Sequence, residues 1–176
     1  DIMFLDHKPH EDELARSFKE AGNVFIDYPF ELEEIDSNYK DIDERIALLN
    51  KVRWPIDVSK DTSRPLMKEP VPPTPQLAKS SRGIGHANII PDFDGINRLA
   101  PLIIKLKIND SYWYYPSIDL QILMHYFGIT KEDITIKIGE YIKLGNIPEE
   151  RRSRSNQKKE IIIPVDNNGC MIINFY

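Results

Sequence analysis

One junction near the start constrains the fold most: a helical pattern runs into a glycine, and an apolar run follows at once. Leu14, Ala15, Phe18 and Ala21 recur at helical spacing between Asp12 and Ala21 and make one apolar face. Asp12 and Glu13 suit the positive end of the helix dipole. Gly22 ends the helix, because glycine takes the left-handed conformation cheaply. Asn23 to Tyr28 then reads as a buried strand, and Asp1 to Leu5 reads as the end of a strand before the helix. Strand, helix, glycine turn, strand is an α/β signature. A chain of 176 residues suits one domain with a real core. The predicted fold class is therefore α/β: a single domain, residues 1–176, with a mixed β-sheet, packed helices and a strand-rich C-terminal part with hairpins.

The stretch from Pro29 to Pro75 is less regular. Asn38 to Val52 predicts one amphipathic helix with Ile42, Ile46, Leu49 and Val52 on its apolar face. Pro65, Pro70, Pro72, Pro73 and Pro75 then make a stiff, non-helical connection. Residues 29–75 read as a surface insertion. Thr74 is placed to cap a short helix over Gln76 to Ser80, with Pro75 in its first turn. Gly85 to Ile90 and Ile96 to Leu106 read as strands, and Pro101 marks the second as an edge or a bulge. Asp94-Gly95 between them is a hairpin signal, and Asn109-Asp110 is the next turn. Ser117 to Phe127 is the clearest helix, with Ser117 as N-cap and Gly128 beyond its end. Its apolar residues predict burial on most sides. Ile134 to Ile138, Tyr141 to Leu144, Glu160 to Val165 and Cys170 to Tyr176 read as strands, the last two joined by a turn at Asp166 to Gly169.

Charge and cysteine count narrow the function classes. The formal charge of −5 disfavours non-specific nucleic-acid binding, which needs a basic surface. The single Cys170 forms no internal disulfide and no cysteine-based zinc site. No apolar run approaches the roughly 20 residues of a transmembrane helix, and the start does not read as a signal peptide. Both ends read as cut from a longer protein.

The motifs favour binding over catalysis. Asp92-Phe-Asp94-Gly95 resembles the start of a calcium loop, yet Ile90 stands where a further oxygen ligand belongs. A turn with self-bonded aspartates is the simpler reading. His86 and Asn88, two apart on a predicted strand, face one way. With Asp92, Asp94 and Arg98 they form the candidate ligand-binding surface, against a plain role in satisfying buried backbone groups. His7 and His10, beside Asp6, Glu11 and Asp12, offer metal-ligand types, but their spacing reads as a polar linker. His125 reads as a core or helix-end residue. Five cations in residues 151–159 suggest an anionic partner or, more simply, a solvated loop. Tyr112 to Tyr115 reads as core and rim packing. There is no nucleophile elbow, no phosphate loop and no catalytic or metal site, and no cofactor is predicted.

Several blocks resemble the CHASE2 domain in the family's order. They are Asp1-Ile-Met-Phe4, Asp12-Glu-Leu-Ala15 with Ala21-Gly-Asn-Val24, Pro75-Gln-Leu-Ala78, Gly85-His-Ala-Asn88, Pro91 to Gly95 with Arg98 and Pro101-Leu102, Tyr115-Pro-Ser-Ile118 with Leu120, and Ile163-Pro164, Gly169 and Ile173 to Tyr176. The departures are residues 29–73 and the basic loop at 151–159, and the family's N-terminal strand and helix have no counterpart before Asp1. The resemblance implies a non-enzymatic sensor outside the cytoplasmic membrane, part of a bacterial membrane receptor. Its output is then an adenylate or diguanylate cyclase, or a histidine or serine/threonine kinase. It also implies a small-molecule or protein signal, membrane anchoring of the full-length protein and a homodimer. Two rival readings are a ligand-free structural or oligomerisation module and a metal-dependent hydrolase using His7, His10 and the nearby acids Asp6, Glu11 and Asp12.

Overall fold

The computed structural model describes residues 6–31, 41–54, 69–91, 93–108, 111–152 and 158–173. Its elements are α1 (Glu11–Ala21), β1 (Phe25–Tyr28), β2 (Phe30–Glu31), α2 (Ile42–Val52), β3 (Glu69–Pro70), α3 (Pro75–Ser80) and β4 (Gly83–His86). Then come β5 (Leu99–Pro101), β6 (Ile103–Ile108), β7 (Ser111–Pro116), α4 (Ile118–Phe127), β8 (Ile134–Lys137), β9 (Tyr141–Leu144), β10 (Ile161–Pro164) and β11 (Cys170–Ile172). The chain is a mixed α/β domain, as its opening junction predicts. Among the described residues no helix is long and apolar enough to cross a membrane.

The helix, glycine turn and following strand of the opening unit form as read, while Asp1 to Leu5 lies outside the described residues. Gly22 sits at φ 68° beyond α1, and its N–H donates to Phe18 O at 3.0 Å. β1 then pairs in parallel with β4, Phe25 opposite Gly83 and Tyr28 opposite His86. The other pairings are antiparallel: β2 with β3, β5 with β11, β6 with β7, and β8 and β10 on either side of β9. Isolated bridges join the pieces, His86 to Ser117 in parallel and Trp54 to Tyr114 antiparallel.

The β6–β7 hairpin has a core on each side. Ile104, Leu106 and Tyr115 pack with Phe18 of α1, Leu49 of α2, Leu77 of α3 and the Ile26, Tyr28 and Ile84 side chains of β1 and β4. Ile103 and Tyr114 pack the other way, with Trp54, Leu120, Ile142, Leu144, Ile147 and Val165. Alternation along a strand produces this split.

Several expectations need correction. α2 turns Arg45, Leu48 and Leu49 inward and leaves Ile46 47% exposed. The Arg45 guanidinium, held by Asp41 and the Pro72 carbonyl, fixes that rotation. On α4 only Leu120 is fully buried, while Ile122 and Tyr126 are exposed, because α4 lies over the domain with its outer side uncovered. Thr74 occupies the N-cap of α3, but its hydroxyl donates to Glu11 instead of capping. Neither predicted hairpin at Asp94-Gly95 nor that at Asp166 to Gly169 joins paired strands. Both segments do turn, with Gly95 at φ 80° and Gly169 at φ 76°, but β11 gives its ladder to β5, with Cys170 opposite Pro101. The strand from Ile96 to Leu106 is also two, β5 and β6, broken at Leu102. Asn109-Asp110 lies outside the described residues, although the strands flanking it pair as a hairpin.

Gly85 is fixed by packing. A Cβ there would lie 2.5 Å from Ile118 N and 2.6 Å from its Cα, the backbone that opens α4. We expect Gly85→Ala to lower unfolding free energy by about 3 kcal/mol, as overpacking against backbone does. Gly22→Ala, strained in φ but with open space around it, should cost about 1 kcal/mol. Urea denaturation of both variants checks the ranking.

Candidate functional site

The residues predicted for a binding surface fall into three environments. His86, the last residue of β4, is fully buried, and its ring stands edge-on to Phe30 at 6.0 Å. Neither ring nitrogen has a hydrogen-bond partner among the described residues, and the same holds for the Tyr28 hydroxyl. Burial lowers the His86 pKa from 6.5 to about 3, so the ring is neutral in the folded protein. Asn88 acts as an extra strand partner. Its Oδ1 accepts from Phe30 N at 2.8 Å, and its Nδ2 donates to Phe30 O at 2.7 Å. Those bonds hold the chain to β2 just after β4 ends. Asp94 and Arg98 form an exposed bidentate pair at 2.9 and 2.8 Å, and Arg98 together with the Ile96 N–H lowers the Asp94 pKa. Asp92 lies outside the described residues. The structure brings Asp94 and Arg98 together, and leaves His86 in the core.

A second constellation was only half visible in the sequence. A polar chain links the starts of α1, α2 and α3. Thr74 donates to Glu11 Oε1, and the other Glu11 oxygen is 2.8 Å from His7 Nδ1. His7 Nε2 lies 3.2 Å from Asp41 Oδ2. Arg45 Nε donates to Asp41 Oδ1 at 2.8 Å, and its Nη1 donates to Pro72 O at 2.7 Å. Glu11, Arg45 and Thr74 are buried. A buried charge persists only where it is paired and hydrogen-bonded, as Glu11 and Arg45 are. Glu11 also sits in the first turn of α1, where the helix dipole favours a carboxylate. Burial works to raise the Asp41 pKa, but the Arg45 and His7 bonds outweigh it and leave the carboxyl below its ordinary value.

Beside this chain opens a cleft of about 360 Å³, lined by residues from all three helices, including His7, Lys19, Asp41, Glu44, Gln76 and Lys79. Lys79 of α3 pairs with Glu44 of α2 across it. Sequence reading singled out His7 and Glu11 as possible metal ligands. It missed Asp41, Arg45 and Thr74, which lie 34 or more residues beyond His7. His10 is apart, 3.5 Å from Glu13. Among the described residues no group of three histidine, cysteine or acidic side chains is placed to hold a metal ion. His125 accepts from Arg82 Nε at 3.0 Å, and its ring lies tilted against Phe25, 5.6 Å between centroids.

The buried, neutral His86 gives a pH signature. Its folded pKa is depressed, so its contribution to stability is complete above 6.5 and is lost as pH falls toward 3. Between pH 6 and 4.5 the unfolding free energy should fall by up to about 1.4 kcal/mol per pH unit from this group. We expect His86→Leu to flatten that part of the profile. It should cost little at pH 7, because the native imidazole leaves polar atoms unpaired. Urea midpoints at both pH values, in both proteins, decide it.

No curated protein and no solved structure matches the chain at a significant level. The family model described as the CHASE2 domain matches residues 1–176, the whole chain. The protein therefore belongs to the CHASE2 family, whose members are extracellular sensor domains of signalling proteins rather than catalysts.

Proposed function

We propose that the chain is the extracytoplasmic sensing domain of a bacterial transmembrane receptor. It regulates a cytoplasmic output, either an adenylate or diguanylate cyclase or a protein kinase. The observation that supports this reading is the CHASE2 match across every residue of the chain. The full-length protein is membrane-anchored and works as a homodimer, and its signal is a small molecule or a protein met outside the membrane. The mechanism is a population shift. A signal that binds one arrangement of the domain more tightly than another biases the segments joined to it by that difference in affinity.

A second reading, a ligand-free structural or oligomerisation module, is favoured by one feature. The outer side of α4 exposes Ile122 and Tyr126, four residues apart on one face.

Topology tests the reading. Lys159→Cys is placed in the full-length protein with Cys170→Ser, and intact spheroplasts are treated with a membrane-impermeant maleimide. Lys159 is exposed, whereas Cys170 is buried, with burial first and then Asp166 pushing its thiol pKa up to about 12. Labelling of intact spheroplasts is the expected result. Labelling only after lysis would place the domain in the cytoplasm and remove the reading.

A further inference from the structure

His7 is 60% exposed, yet each ring nitrogen faces a different carboxylate: Nδ1 and Glu11 Oε2 at 2.8 Å, Nε2 and Asp41 Oδ2 at 3.2 Å. A neutral imidazole has one donor and one acceptor, and an ionised carboxylate only accepts. Both bonds therefore exist together only with the imidazolium. The two carboxylates belong to different elements, Glu11 to the first turn of α1 and Asp41 to the residue before α2.

We propose that His7 is a proton-operated clasp: protonated, it ties the start of α1 to the start of α2 at one end of the helical cleft; neutral, it releases one carboxylate and frees α2 to move. The proton is then an input that the domain reads. That signalling role rests on the sensor reading above, whereas the titration itself does not.

The surroundings support the clasp. From α1 the group facing His7 is Glu11, backed by the Thr74 hydroxyl from the residue before α3. From the α2 side it is Asp41, backed by Arg45. Lys19, Glu44 and Lys79 share the cleft, with Glu44 and Lys79 paired to each other. Asp6 and Lys8, its neighbours in sequence, pair with one another at 3.6 Å. With His7 charged, two cations (His7, Arg45) meet two anions (Glu11, Asp41). With His7 neutral, one negative charge is in excess, on carboxylates only 7% and 19% exposed. Desolvated charge without a partner is costly, so the network favours the proton. The Glu11 bond is the largest influence raising the His7 pKa above 6.5; desolvation opposes it, and Asp41 adds to it. The ring reaches solvent, so bulk pH sets its state.

The sign follows. A raised folded pKa gives stability that is complete below 6.5 and is lost as pH rises through the folded value. His7→Gln should therefore lower the thermal midpoint most at pH 5.5, by about 2 °C, and the difference should vanish at high pH.

Imidazole NMR titration of the chain is the decisive measurement, with amide exchange of Arg45 to Leu49 followed in parallel. The expected result is a His7 midpoint above 6.5. Above that midpoint α2 amides should exchange faster after correction for intrinsic rates, and His7→Gln should abolish this pH dependence. Asp41→Asn should bring the midpoint down, which keeps the test available if His7→Gln does not fold. A midpoint at or below 6.5, or a titration that leaves α2 exchange unchanged, overturns the clasp. Either result is separable from the topology experiment. A cytoplasmic domain would remove the sensor reading with the titration intact, and an ordinary His7 would remove the clasp with the topology intact.

Discussion

Burial on both faces of the β6–β7 hairpin is the constraint on which the rest of the domain depends. Six consecutive register pairs hold it, from Ile103 opposite Pro116 to Ile108 opposite Ser111. Ile104 and Tyr115 face the helices α1, α2 and α3, while Ile103 and Tyr114 face α4 and the β8–β9–β10 sheet. Such a wall tolerates few polar side chains. Among the described residues Lys105 is buried there, with its ammonium 4.3 Å from the centre of the Tyr112 ring, whereas Lys107 is exposed. The long aliphatic stem packs while the charge finds an aromatic face. Every other sheet here has two or three strands, and small sheets become stable only by packing against such a surface.

What was legible in the sequence was whatever short-range chemistry decides. Gly22 and Gly128 end α1 and α4 at φ 68° and 66°, as a helix C-terminus requires, and the Ser117 hydroxyl accepts from Leu120 N. The apolar runs of β8, β9 and β10 lie within a residue of their predicted limits. Pairing was not legible, because turn residues report a reversal and not the destination of the strand. Asp166 takes the N–H groups of Asn168 and Cys170 on its own carboxylate, a compact local turn, and β11 is left free to pair with β5. The face of α2 was misread for a related reason. Periodicity counts Arg45 as polar and therefore outward, whereas the Asp41 and Pro72 partners make its burial favourable.

The same limit explains the polar chain around His7. His7 and Glu11 are four residues apart, so their proximity is written in the local sequence, and the pair attracted a metal reading. Asp41 and Thr74 join them only after α2 and α3 dock against α1. Without those partners a histidine beside acids resembles a ligand set; with them, the carboxylates are committed to hydrogen bonds. His86 and Asn88 show the converse error. The same-face argument assumes one continuous strand, but β4 stops at His86, and Asn88 turns to the Phe30 backbone.

The route by which the polar chain acts on the rest of the molecule is short. α2 carries Arg45 near its start and, beyond its end, Arg53, whose guanidinium stacks 3.3 Å over the Trp113 ring. The next residue, Trp54, donates its N–H to Tyr114 O at 2.8 Å. α2 is thus fastened at one end to the His7–Asp41 pair and at the other to β7. Leu49, near its C-terminal end, packs in the core shared with Phe18 and Tyr115. Close-packed interiors respond to such a displacement by changing between discrete packings rather than by bending gradually. On the clasp proposed above, a helix with a solvent-reaching ionisable tether at one end and the central wall at the other would convert a local charge change into a change in core packing. Coupling of this kind needs only that the tether bind one packing better than the other.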